Sequence, residues 1–184
     1  MTSDPFTKPE LISGFTDAAT TAESFWGKFS PDTFIERPLD RSWSPAQNVI
    51  HLIQATKPVV MALRLPRFLP RLLFGKSNAP SRHYDKIVEA YQSVLSQGGQ
   101  ASGKYVPKLP KKPADVVEYQ RRQVEKLSTT IRSLSQALEN WTEQDLDRLV
   151  LPHPLLGKLS VREMLFFTLY HLGHHQDKVA SKTA

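Results

Sequence analysis

Residues 160–180, SVREMLFFTLYHLGHHQDKVA, decide how this chain folds. A serine hydroxyl caps free amides at a helix start, and the stretch after Ser160 is apolar around much of its circumference. A helix of that kind belongs at the centre of a helical core. It also carries His171, His174 and His175, three of the chain's six histidines. Residues four apart share a helix face with Cβ atoms about 5–6 Å apart, so His171 and His175 form a pair, while His174 lies roughly 60 degrees aside. Two such imidazoles can converge on one ion at about 2.0–2.1 Å from each nitrogen. An H-x-x-x-H pair is also common without any ion, and this stretch alone leaves both readings open.

Working outward, three more long helices are needed to cover that central one, and the spacing supplies them. Glu10 to Phe29 repeats Leu11, Phe15, Ala18, Ala22, Phe25 and Phe29 at threes and fours, stopped by Ser30-Pro31. A second helix begins at about Pro45 behind a Ser44 cap, where the proline's missing donor costs nothing. Pro58 should kink it or end its first part, and Pro66 and Pro70 should break the stretch that follows. His83 to Gln97 reads as a shorter helix closed by Gly98-Gly99. Residues 100–113, QASGKYVPKLPKKP, read as a connector that is mobile or draped over the surface. Asp115 to Trp141 is the longest periodic segment, and the return to Ser160 carries a short extended or turn element. Strand signals are scarce and no repeat is present. The expectation is therefore all-α: a four-helix bundle, one domain over 1–184, with an elaborated connection between the second and third helices.

Composition narrows the chemistry. The 184 residues include no cysteine, which removes disulfides, thiolate ligands and a cysteine nucleophile, leaving imidazole, carboxylate and hydroxyl groups. No run of 18 or more apolar residues and no basic-then-apolar start marks a membrane span or export, so the cytoplasm is the expected location. The net charge of +6 is local. Residues 64–112 hold ten Lys/Arg against two acids, a balance of +8, while the rest of the chain carries 14 basic and 16 acidic residues. That segment reads as a solvated face, as a field steering an anionic substrate, or, where PRFLPRLLFGK mixes Arg with Phe and Leu, as a surface for a membrane or a second subunit, a homodimer being the commoner use. Nucleic acid is not the expected partner, because no aromatic-interleaved platform or recognition helix accompanies the charge.

His51 lies in the second helix between Ile50 and Leu52, with Asn48, Ala55 and Ala62 along its row. Burying it requires a neutral ring bonded to something, and a metal or a carboxylate would serve. A lone histidine of this kind is more often a satisfied core residue. His83 and His153 have no helical partner and read as structural or exposed.

SWSPAQNVIHL (residues 42–52), with Trp43 and then a capped helix carrying His51, together with LPHPLLGKLSVREMLFFTLYHLGHHQDKV (residues 151–179), resembles the DinB/YfiT-like superfamily of four-helix-bundle metalloenzymes. The resemblance covers nearly the whole chain outside a basic insertion from about Leu65 to Pro110. It implies an up-down-down-up bundle in which His51 from the second helix and His171 and His175 from the fourth hold a divalent ion, nickel or zinc. It further implies thiol-dependent S-transfer or isomerisation, with a low-molecular-weight thiol as cofactor, or hydrolysis, on a small-molecule substrate. Three neutral imidazoles leave such an ion at least one open position. Gln47 and Gln54, flanking His51, and Thr168 with Phe167, a turn before His171, are candidates to orient the ligands or touch substrate; a solvated helix edge is the plain alternative for both glutamines. No carboxylate falls on the expected inward faces, Glu163 being two turns before His171. The rival reading is a non-catalytic helical module that engages an anionic partner through residues 64–112.

Overall fold

A computed structural model of the chain describes residues 7–38, 42–108 and 113–183. Its helices are α1 (Lys8–Gly27), α2 (Pro31–Ile35), α3 (Pro45–Arg64), α4 (Phe68–Phe74), α5 (Tyr84–Ser96), α6 (Val116–Leu138), α7 (Glu143–Arg148) and α8 (Val161–Thr183). A single 3₁₀ turn spans Gly103–Tyr105, and two short strands, β1 (Val150–His153) and β2 (Gly157–Ser160), form an antiparallel hairpin. Among the described residues the fold is all-α apart from that hairpin and an isolated bridge between Lys76 and Leu149. Residues 109–112, the end of the basic segment, and residues 1–6 of the expected domain lie outside the described residues.

The four long helices close a ring, α6 packing on both α1 and α3, and α8 packing on the same two. Local chemistry starts each of them. Thr7 and Ser44 make capping boxes with Glu10 and Gln47, each followed by a proline in the first turn. At α8, Ser160 Oγ accepts the Glu163 amide at 3.1 Å while the Glu163 carboxylate accepts the Ser160 amide at 3.0 Å. Behind the caps, Phe15, Trp26, Leu52, Leu127, Ile131, Leu165 and Phe166 are fully buried. Each contributes about 1.5–3 kcal/mol of transfer free energy.

Two features fix the rotation of α8 and hence the aim of its histidines. Arg162, fully buried, lies between Asp147 at 2.6 Å and Glu143 at 2.7 Å, tying α8 to α7. Glu163 receives Arg82 at 2.8 Å, tying the same turn to the segment that enters α5. Both salt-bridged groups therefore hold the start of α8 and leave its later turns to the histidines.

The structure corrects three expectations. Pro58 does not end the second helix: α3 continues to Arg64 with Val59, Val60 and Leu63 buried beyond it, so apolar packing outweighs the hydrogen bond that the proline withholds from the Gln54 carbonyl. Pro70 does not break its stretch either; it lies in the first turn of α4, where a missing donor is tolerated. The connector after α5 is not a surface drape throughout, because its 3₁₀ turn packs on α3 and reaches the histidines. The short extended element before α8 is the hairpin, paired from Val150 with Ser160 to His153 with Gly157. Gly157 sits at φ 74, a conformation that favours glycine.

Candidate metal centre

α3 delivers His51 and α8 delivers His171 and His175 to one point inside the ring of helices. They are 5%, 4% and 5% exposed, so each is a buried imidazole. His51 Nε2 stands 3.2 Å from His171 Nε2, and His175 Nε2 stands 3.0 Å from the same atom. One ring nitrogen from each lies within 4.8 Å of the other two. Nitrogens at about 2.05 Å on tetrahedral corners around one ion stand roughly 3.3 Å apart, so the two spacings to His171 match what such an ion imposes, while the third pair lies within 4.8 Å.

The outward nitrogens settle which way the lone pairs point. His175 Nδ1 lies 2.7 Å from Asn48 Oδ1. The Asn48 amide is itself oriented, because its Nδ2 donates to the carbonyls of Ser44 at 2.9 Å and Trp43 at 3.2 Å. An oxygen only accepts, so His175 Nδ1 carries the proton and its Nε2 presents a lone pair inward. His51 Nδ1 lies 2.7 Å from the Tyr105 carbonyl and must donate in the same way. His171 Nε2 then faces two lone pairs, and a single proton on it can satisfy only one of them. A cation at the shared point satisfies all three, which is the fit that a divalent ion requires.

Electrostatics favours neutral, ligand-ready rings. Burial pushes the pKa of His171 and His175 well below the ordinary histidine value, and the neighbouring imidazoles push further in the same direction. His51 is lowered by burial as well, partly offset by its bond to the Tyr105 carbonyl. No acidic residue belongs to the cluster among the described residues. The Trp43 ring covers the site from one side, 4.9 Å from the His51 ring and stacked at 6.1 Å on His175.

On the other side a cavity of about 260 Å³ opens against His51 and His171. Ala55, Val59 and Ala62 of α3 give it the small-residue wall seen in the row below His51, and Leu151, Leu155 and Phe167 complete an apolar lining. Lys104 is the one charged side chain among its described lining residues. His153 is buried and not exposed: its ring meets Phe167 at 4.2 Å, and its Nδ1 accepts the amides of Leu155 and Leu156, which holds the hairpin turn at the cavity wall. Burial drives its pKa down to about 4. His83, by contrast, is exposed at the start of α5.

The flanking residues divide. Gln47 is buried, but its side chain accepts the Ser44 amide at 3.1 Å in the α3 capping box, away from the imidazoles. Gln54, one turn after His51, has a buried Oε1 with no hydrogen-bond partner among the described residues. Thr168 is buried, lines the cavity and donates to the Met164 carbonyl at 2.7 Å. Asn48 and the Tyr105 carbonyl are the groups that hold two of the three histidine rings, and sequence reasoning named neither in that role. Asn48 left a trace, standing three residues before His51 on the same face; a main-chain carbonyl in a distant connector leaves none.

A buried three-histidine set inside a ring of four helices defines a helical-bundle protein whose site fits metal binding. Consistent with this, the sequence model of the DinB superfamily matches residues 15–177, and the chain belongs to that superfamily. No individual curated protein matches the chain.

Proposed function

We propose that this protein is a divalent-metal-dependent enzyme that holds zinc or nickel on His51, His171 and His175 and acts in the cytoplasm on a small molecule seated in the adjoining cavity. The observation that carries the reading is the convergence of three Nε2 atoms, at 3.0 and 3.2 Å from His171, with the Nδ1 protons of His51 and His175 turned outward to oxygens. When bound, such an ion supplies a Lewis acid that brings the pKa of a coordinated water or thiol toward neutrality.

The chain's own residues prepare that site. Asn48 and the Tyr105 carbonyl hold two rings in the ligating tautomer, and Trp43 keeps solvent from them. With three neutral ligands and no carboxylate in the cluster among the described residues, the charge of the ion would stay uncompensated, which favours an anionic donor in the open position. Both expected chemistries meet that condition: thiol-dependent transfer or isomerisation, in which a low-molecular-weight thiol enters as its thiolate, and hydrolysis. The apolar walls, with Lys104 as the sole charge among the described lining residues, suit a substrate with an apolar body and no positive charge. Tyr91 also lines the cavity, and burial pushes its hydroxyl up to about 12, so it stays protonated and can donate a hydrogen bond there. The rival reading, in which the histidines merely pack, lets a proton on His171 Nε2 satisfy one inward lone pair and leaves the other without a partner.

The test is elemental analysis of protein purified without an affinity tag or chelator. About one ion per chain is expected, lost in His171→Ala while the helical content is retained. An ion-free wild type, with unchanged melting in His171→Ala, would overturn the proposal.

A further inference from the structure

The most anomalous surface of the molecule lies away from the histidines. Five large apolar side chains within thirteen residues are exposed: Met61 at 60%, Leu65 at 37%, Phe68 at 63%, Leu72 at 78% and Leu73 at 62%. They occupy the last turn of α3, the bend at Pro66 and the outer face of α4. At about 100 degrees per residue, Arg71, Phe68, Leu72 and Leu73 share one continuous arc of α4, while Pro70 and Phe74 face inward. Contiguous exposed apolar surface of this kind marks an interaction site in a folded protein.

The charge around it identifies the partner. From Lys57 to Tyr84 the sequence contains no acidic residue. Arg67 is engaged with Asp145 at 3.6 Å and lies over the Trp141 ring at 4.7 Å, and Arg82 is engaged with Glu163. Arg64, Arg71 and Lys76 are exposed and enter no ion pair among the described residues. A second copy of this chain docking by the same face would bring two such cationic sets together, which opposes a symmetric dimer there. An anionic bilayer answers both features, taking the apolar side chains into the headgroup boundary and pairing the cations with lipid phosphates.

We infer that α4 and the end of α3 seat this protein on the surface of an anionic lipid bilayer. The inner face of the same helix carries Phe74, which lines the cavity, so the docked face and the mouth of the cavity share one short element. The inference does not rest on the metal reading.

Co-sedimentation of the full chain with vesicles tests it. Vesicles containing about one third phosphatidylglycerol are expected to pellet the protein, pure phosphatidylcholine vesicles are not, and added salt reduces the binding. The double variant Leu72→Glu/Leu73→Glu loses binding, and Arg71→Glu weakens it by roughly tenfold or more. All three positions are exposed, so both variants keep the helical content and metal content of the wild type. Absence of binding to the anionic vesicles, or binding that the double variant leaves unchanged, overturns the inference. So does a concentration-dependent dimer that the double variant dissolves, since that assigns the face to a second copy.

Discussion

Replacing Asn48 tests whether the orientation of an imidazole, and not merely its presence, makes the site. In the wild type Asn48 Oδ1 receives the His175 proton at 2.7 Å and the amide nitrogen donates to two carbonyls at 2.9 and 3.2 Å. Asn48→Ala removes both functions. His175 is then free to turn or to exchange tautomers, and losing such an outer partner typically lowers metal affinity by about 10–100-fold, or about 1.4–2.7 kcal/mol. It also leaves a buried N–H without an acceptor, at about 1–3 kcal/mol of stability. Asn48→Asp separates the two effects. It keeps an acceptor for His175, and so holds affinity within about tenfold of the wild type, but it sets a carboxylate against the Trp43 and Ser44 carbonyls and lowers the urea midpoint. Zinc affinity by competition with a chromophoric chelator, alongside urea melts of the metal-free proteins, reads both quantities. If Asn48→Ala binds zinc within about twofold of the wild type while His175→Ala does not bind it, the tautomer argument is wrong.

Three further outcomes follow from the geometry. The metal-free protein loses stability on acidification: above pH 6.5 His153 is neutral in both states, but between 6.5 and about 4 only the unfolded chain takes up its proton. His153 alone then contributes about 3 kcal/mol of loss across that window, and the lowered values of His171 and His175 steepen it, so a flat urea midpoint from pH 7.5 to 5 would contradict the assignment of buried neutral rings. Trp141→Phe removes the indole donor that holds the Leu63 carbonyl at 3.0 Å where α3 ends, and is expected to cost about 1–3 kcal/mol in the same melts. Arg162→Met strips the buried cation from Glu143 and Asp147; because those carboxylates are half and one-third exposed, the expected loss is about 2–4 kcal/mol, and a stabilised variant would show that the ion pairs only offset their own desolvation.

The helices were legible because their signals are local. Leu11, Phe15 and Ala22 recur at helical spacing, Ser44 and Ser160 cap their own turns, and the pairing of His171 with His175 needs only a helix pitch. Their meeting with His51 was reached through resemblance to a family, because no local rule brings residues 120 apart together. Pro58 misled the local reading, since its penalty is fixed by the backbone while the burial of Val59, Val60 and Leu63 that outweighs it is a tertiary matter. Gln47 misled it differently: a glutamine one turn from a ligand was equally placed to close its own capping box, and it does so. His153 looked unpartnered because its partners are the amides two and three residues further on and an aromatic ring on α8.

The anchor for His51 is the main-chain oxygen of Tyr105, supplied by the 3₁₀ turn between α5 and α6. Any amino acid offers that oxygen, so the identity of residue 105 can drift through evolution without disturbing the ring it steadies. The length of the connector has no such freedom. Adding or deleting one residue between Gly98 and Val106 would swing the carbonyl away, and that segment's indels are thus under a constraint its side chains escape.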